Sequence, residues 1–173
     1  MKLQRELLLN AILAFSVLEF ILIPLAGHLS DRIGRKRMYL IGAGITFIVS
    51  FLFFWLLGMA TPVSVFVAVL LGAVAHSAVY GPQAALIAEQ FTPRLRYSGA
   101  SIGYQLASII AGGPAPLIAA WLLATYRSGT VIAVYMACCA LVGFIAAVFM
   151  KDYAGEDVSR EYALRERRPS SKP

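Results

Sequence analysis

Glu19 stands near the middle of an apolar run, and His76, Tyr80 and Gln83 follow one another at i, i+4 and i+7. On a helix that spacing puts the three side chains on one face, where imidazole, phenol and amide offer both donors and acceptors to a hydrated solute. Small Gly72 extends the same stripe, and Tyr104 with Gln105 adds a second polar group in another apolar run. An acidic side chain at a bilayer centre costs roughly 2.5 to 3.5 kcal/mol on insertion scales, so Glu19 calls for a use. Three readings of it stand open: a proton or substrate-cation site, a structural partner for a base or donor on a helix outside this chain, and a neutral acid tolerated in a helix interface. For the His76 face the alternative to a cavity wall is hydrogen bonding between helices.

Charge is concentrated elsewhere, in "GHLSDRIGRKR" from Gly27 to Arg37, where Asp31 stands among Arg32, Arg35, Lys36 and Arg37, and in Glu89, Arg94 and Arg96. No nucleophile and base share a motif, no glycine-rich phosphate loop appears, and no spacing suits a metal, so the chain is expected to be no enzyme and to need no cofactor. Cys138 and Cys139 are adjacent in an apolar run and fit small packing residues better than a disulfide framework.

These groups have to be positioned by helices in a membrane. Hydrophobic residues are 60% of the 173 and charged residues 14%, too apolar for a soluble domain. Runs of about 18 to 25 apolar residues span the hydrocarbon, and the chain divides into five: 7–26, 38–60, 62–88, 97–125 and 129–150. This predicts an all-α integral membrane bundle over 1–150 and a disordered tail over 151–173, with Pro62 breaking the link "MATPVS". The net charge of +6 lies beside the spans and implies lipid headgroups rather than nucleic acid. With alternating loops, twelve of the fifteen Lys and Arg fall on one side, which predicts that "GHLSDRIGRKR", the 89–96 link and the C-terminus face the cytoplasm. Tyr39, Tyr97 and Tyr153 fall at the inner ends and Trp55, Trp121 and Tyr126 at the outer ones.

The spans at 38–60 and 129–150 carry few polar groups and are expected to face lipid, leaving the other three around something polar. Gly81-Pro82 removes a backbone donor and offers a place to bend. The fourth run would be about 43 Å long as a helix at 1.5 Å per residue, longer than the hydrocarbon is thick, and "AGGPAP" supplies the means to break it. Gly99, Gly103, Ala107 and Ala111 form a small-residue face on which another helix is expected to pack.

In Gly27, Leu29, Asp31, Arg32, Gly34, Arg35 and Lys36, in that order, "GHLSDRIGRKR" resembles the signature loop of the major facilitator superfamily. The segment from Tyr80 to Leu123 is similar to the helix-ten to helix-eleven region of its metabolite:proton symporter branch, through Tyr-Gly-Pro, Glu-x6-Arg, Tyr-x-Gly-Ala-Ser and Gly-Tyr-Gln. "FTPRLR" departs from the branch, which usually places the proline before the threonine, while keeping Glu89, Arg94 and Arg96. The resemblance implies helices eight to twelve of a twelve-helix carrier, whose seven preceding helices would be the missing partner. It further implies proton-coupled symport of a small metabolite, a carboxylate or zwitterion, across the plasma (inner) membrane by alternating access. Glu19, His76, Tyr80, Gln83, Tyr104 and Gln105 would then line the pathway. Gly27, Asp31, Arg32, Gly34, Arg35 and Lys36 would form a cytoplasmic gate, with Asp31 meeting helix N-terminal N–H groups, and Glu89, Arg94 and Arg96 a second charge network. Two other classes fit the same residues: a non-transporting membrane remnant or interaction protein, and a sugar porter portion that would take hexoses.

Overall fold

A computed structural model of the chain describes residues 5–92 and 94–153. Six α-helices follow in order: α1 (Arg5–Ile33), α2 (Arg35–Gly58), α3 (Pro62–Glu89), α4 (Arg96–Ala107), α5 (Ala115–Tyr126) and α6 (Gly129–Phe149), with a π-helical turn, Ser108–Gly112, between α4 and α5. By length and composition they make five membrane spans, because α4, the π turn and α5 together form one, Arg96–Tyr126. The expected disordered tail falls largely outside the described residues; Lys151, Asp152 and Tyr153 are non-helical.

Local chemistry sets the helix ends. Pro62 opens α3, at the one helical position where its missing N–H costs nothing. Thr61 and Ser64 cap it reciprocally, each hydroxyl accepting from the other's backbone N–H at 3.2 Å. Ser128 caps α6 by accepting from the Thr130 N–H at 3.3 Å. The largest departure from expectation is "GHLSDRIGRKR", which is helix rather than loop. α1 runs through it to Ile33, and α2 restarts at Arg35. The joint is Gly34 alone, with φ 98° and ψ 129°, a conformation open to glycine and strained for other residues. Its N–H still donates to the Ser30 carbonyl at 2.9 Å and its carbonyl accepts from the Met38 N–H at 3.0 Å, so both backbone groups of the glycine stay bonded at the turn.

α2 packs between α3 and α6, and α1 packs on α3. The interfaces are built from small residues, with Ala43, Ala68, Ala73, Ala75 and Ala133 all buried, as suits helices that attract one another by van der Waals contact in lipid. A Cβ on Gly42 would lie 2.7 Å from the Ala78 backbone, and one on Gly81 would lie 2.9 Å from both the Ala26 Cβ and the Gly27 nitrogen. Gly27 is therefore part of the α1–α3 contact, not of a connecting turn. α3 continues unbroken past Pro82, which is fully buried. What Gly81 supplies there is close approach between helices.

The fourth span differs. None of its described residues is buried, and a Cβ on Gly103 would meet nothing within 4 Å. Of the two glycines on the small-residue face only Gly99 has a neighbour, the Phe91 ring, and Ala107 and Ala111 are exposed, so among the described residues that face packs on no other helix. The expected break is present: the Gly113 N–H reaches back to the Ser108 carbonyl at 2.8 Å, and α5 restarts after Pro114.

Candidate functional site

α1 and α3 bring Glu19 and His76 together although 57 residues separate them: Glu19 Oε2 lies 2.8 Å from His76 Nδ1. One partner of the acid is thus inside this chain, on α3. Its side chain is only 9% exposed, while that of His76 is 49% exposed. Glu19 Oε1 is buried with no hydrogen-bond partner among the described residues. The His76 ring stacks on Tyr80, with centroids 5.2 Å apart and planes 20° apart, and the Phe15 ring of α1 is tilted against it with centroids 6.1 Å apart. Tyr104 of α4 stands beside Tyr80. A polar row therefore runs from a covered carboxylate on α1, through imidazole and phenol on α3, to a phenol on the fourth span.

The remaining pathway candidates are placed without partners. Gln83 is half-buried and Gln105 exposed, and neither amide is hydrogen-bonded among the described residues. Gly72 turns instead toward the Phe53 ring of α2, at 3.3 Å from a built Cβ. Behind His76 lies an apolar cavity of about 340 Å³, bordered by Phe15, Thr46, Ser50, Phe53, Ala75 and Met136 among others.

At the basic end of the bundle the two charge groups expected to act separately are one. The Arg35 guanidinium donates to Asp31 Oδ1 from Nη2 at 2.8 Å and from Nε at 3.1 Å, and its Nη1 donates to Glu89 at the end of α3. Asp31 accordingly engages a side chain one turn on, rather than the helix N-terminal N–H groups expected for it. Glu89 is tied to the motif, Arg94 is exposed, and Arg96 carries a buried Nε with no hydrogen bond. Arg32 is exposed and has no ion pair among the described residues. Lys36 does something a motif reading does not suggest: its ammonium donates to the Val148 and Met150 carbonyls at 2.9 and 2.5 Å, satisfying orphan acceptors at the C-terminus of α6 where positive charge is favoured.

Gln90 was not singled out in the sequence, and it completes this layer. Its Nε2 donates to the Lys151 carbonyl at 3.0 Å and its Oε1 accepts from the Lys151 N–H at 3.2 Å. A neutral amide just past a helix end carries no pattern of its own. Its only signal was its place beside Glu89, where the chain leaves α3 opposite the exit of α6.

The sequence profile described as Major Facilitator Superfamily matches residues 6–172. Among curated proteins, the chain is 39% identical to the shikimate transporter of Escherichia coli (strain K12) over 155 residues, which is 88% of this chain and 35% of that protein. It is 39% identical over 141 residues to the Escherichia coli inner membrane metabolite transport protein YhjE, covering 81% of the chain and 31% of the relative. It is 30% identical over 131 residues to the Escherichia coli proline/betaine transporter, covering 76% and 26%. The chain thus spans about a third of the length of the curated relatives it matches most strongly. No solved structure gives a significant match.

Proposed function

The chain belongs to the major facilitator superfamily, and from that premise we propose that it supplies the C-terminal helices of a secondary carrier in the inner membrane. The carrier moves a small carboxylate or zwitterionic metabolite together with a proton. The observation that carries the reading is the Glu19–His76 pair, an acid and an imidazole in hydrogen-bonding contact between two membrane helices. Ionisable groups at that depth are costly and are retained for ion or solute pathways, and this pair can take up and release protons without a covalent step. Its location between α1 and α3, which on this reading belong to two successive repeats, suits a site near the midplane, where such carriers bind their solute. The names of the relatives support the solute class, since shikimate, proline and betaine all bear a carboxylate. Gln83, Gln105 and Tyr104 have the donors and acceptors to orient such a solute.

The basic end supports a gating role on the cytoplasmic side. Arg35 joins the end of α1, the start of α2 and the end of α3 through Asp31 and Glu89, a cluster whose ion pairs can exchange partners when the helices facing them move. Its orientation follows the excess of Lys and Arg.

The test is uptake of labelled shikimate and betaine by cells that express this chain together with the part of the Escherichia coli shikimate transporter it does not cover. Accumulation that collapses when a protonophore dissipates the gradient is the expected result. Accumulation indifferent to the protonophore would remove proton coupling, and hexose uptake in its place would favour a sugar porter.

A further inference from the structure

Apart from His76, no side chain in the interior of these spans can become cationic. No lysine or arginine stands between Arg5 and Arg32, Arg37 and Arg94, Arg96 and Arg127, or Arg127 and Lys151, and His28 lies near the basic end of α1. A carboxylate at mid-membrane would therefore meet one potential positive charge from this chain. Glu19 decides how that group is presented. Glu19 taken as ionised only accepts, and with Oε2 at 2.8 Å the ring nitrogen Nδ1 then carries a hydrogen and donates it. In a neutral ring this leaves Nε2 as a bare lone pair on the edge turned away from Glu19, and the ring is half exposed while the acid is covered. Of the two places where the pair can accept a further proton, Glu19 Oε1 is sealed and unpartnered, and His76 Nε2 is the open one.

We propose that His76 Nε2 is at once the proton acceptor and the anchor for the solute's carboxylate, with Glu19 as the positioning residue that fixes the tautomer. The proposal rests on the proton-coupled reading above and names the atom on which that coupling acts. The neutral ring offers a carboxylate a lone pair, which repels it. One proton from the aqueous phase converts that lone pair to an N–H, a charge-assisted donor, and Glu19 holds the opposite edge of the imidazolium. Carboxylate and proton then bind together and leave together, with no bond to the solute made or broken. By linkage, each raises the occupancy of the other equally. The titratable groups facing the ring are Glu19 from α1, Tyr80 from α3 and, through Tyr80, Tyr104 from α4. α2 and α6 bring Thr46, Ser50, Phe53 and Met136 to the adjoining cavity, none of which titrates. Tyr80 stacks on the ring's face and leaves both nitrogen edges to their partners.

The experiment is nitrogen NMR of this chain, labelled at its two histidines and held in lipid nanodiscs, with His28→Asn to assign the signals. The expected neutral form of His76 is the Nδ1–H tautomer, the minority form of free histidine. Glu19→Leu should return the ring to Nε2–H, a change that a merely packing role for Glu19 would not produce. At a fixed pH, shikimate should increase the imidazolium signal and shikimate methyl ester should not. Glu19→Gln keeps the hydrogen-bonding shape without the charge and should weaken the shikimate response at least about tenfold, the weight of one charged hydrogen bond. A wild-type Nε2–H tautomer, an equal response to the ester, or no response to shikimate would each overturn the proposal. In the co-expressed carrier, proton-driven uptake that survives His76→Asn would also sink it while leaving proton coupling intact. Uptake that is not proton-driven in the unaltered carrier would instead sink the reading it rests on.

Discussion

Helices α2 and α3 approach until a methyl group would not fit at Gly42, whereas a methyl on Gly103 of the fourth span would touch nothing. Both glycines lie in membrane spans, and of the two it is Gly103 whose sequence neighbours form a small-residue face. Their fates differ because packing needs two surfaces. The Ala78 backbone opposes Gly42, while the face containing Gly103 finds no counterpart within this chain. The fourth span meets the rest sparsely, with Tyr104 beside Tyr80, Gly99 against Phe91 and α5 along α6, and is interrupted by the π turn. The other four spans are close-packed on one another and held at the basic end by Arg35, Lys36 and Gln90.

The contrast can be broken most forcefully at Gly42. Gly42→Leu should separate α2 from α3 and destabilise the bundle by about 1 to 3 kcal/mol or more, as overpacking of a tight interface does, read as a lowered thermal midpoint of circular dichroism in detergent. Next comes Arg35→Ala, which removes the bonds to Asp31 and Glu89 and should cost roughly 1 kcal/mol for partly exposed ion pairs. Arg35→Lys should recover only part of that, because a point charge cannot serve both carboxylates as the guanidinium does. Gln90→Ala should cost roughly 0.5 to 1.5 kcal/mol, with hydrogen exchange rising at the Lys151 amide and little change in α1. The smallest effects belong to the fourth span: Gly103→Ala should stay within about 0.5 kcal/mol of the parent. A Gly103→Ala loss as large as that of Gly42→Leu would mean the two regions are packed alike.

The sequence was enough to place most of the fold. Five spans and the break at "AGGPAP" follow from run length and from the geometry of proline and glycine. The ends of α1 and α2 did not, because a charged amphipathic segment after an apolar run is as good a helix former as the run itself; charge marks where a helix leaves hydrocarbon, not where it stops. Glu19 and His76 were each conspicuous as polar groups in apolar runs. Their meeting was not, since periodicity describes one helix at a time and says nothing of which face of α1 turns to α3. The double hold of Arg35 and the capping of α6 by Lys36 were hidden for the same reason, each depending on a partner more than fifty residues away in sequence. Residues in a recognised motif were expected to face outward to an absent helix, and several are occupied at home.

One residue, Gly34, separates α1 from α2, and its neighbour Arg35 holds the end of α3. There is no slack in that coupling. Should α1 roll when the load on Glu19 changes, Gly34 acts as the throw of a crank: it cannot absorb the rotation along its length, so the next residue has to swing and pull on Glu89. The shortest connection between spans would thus be a mechanical linkage between the depth of the Glu19–His76 pair and the surface at which the bundle is clasped.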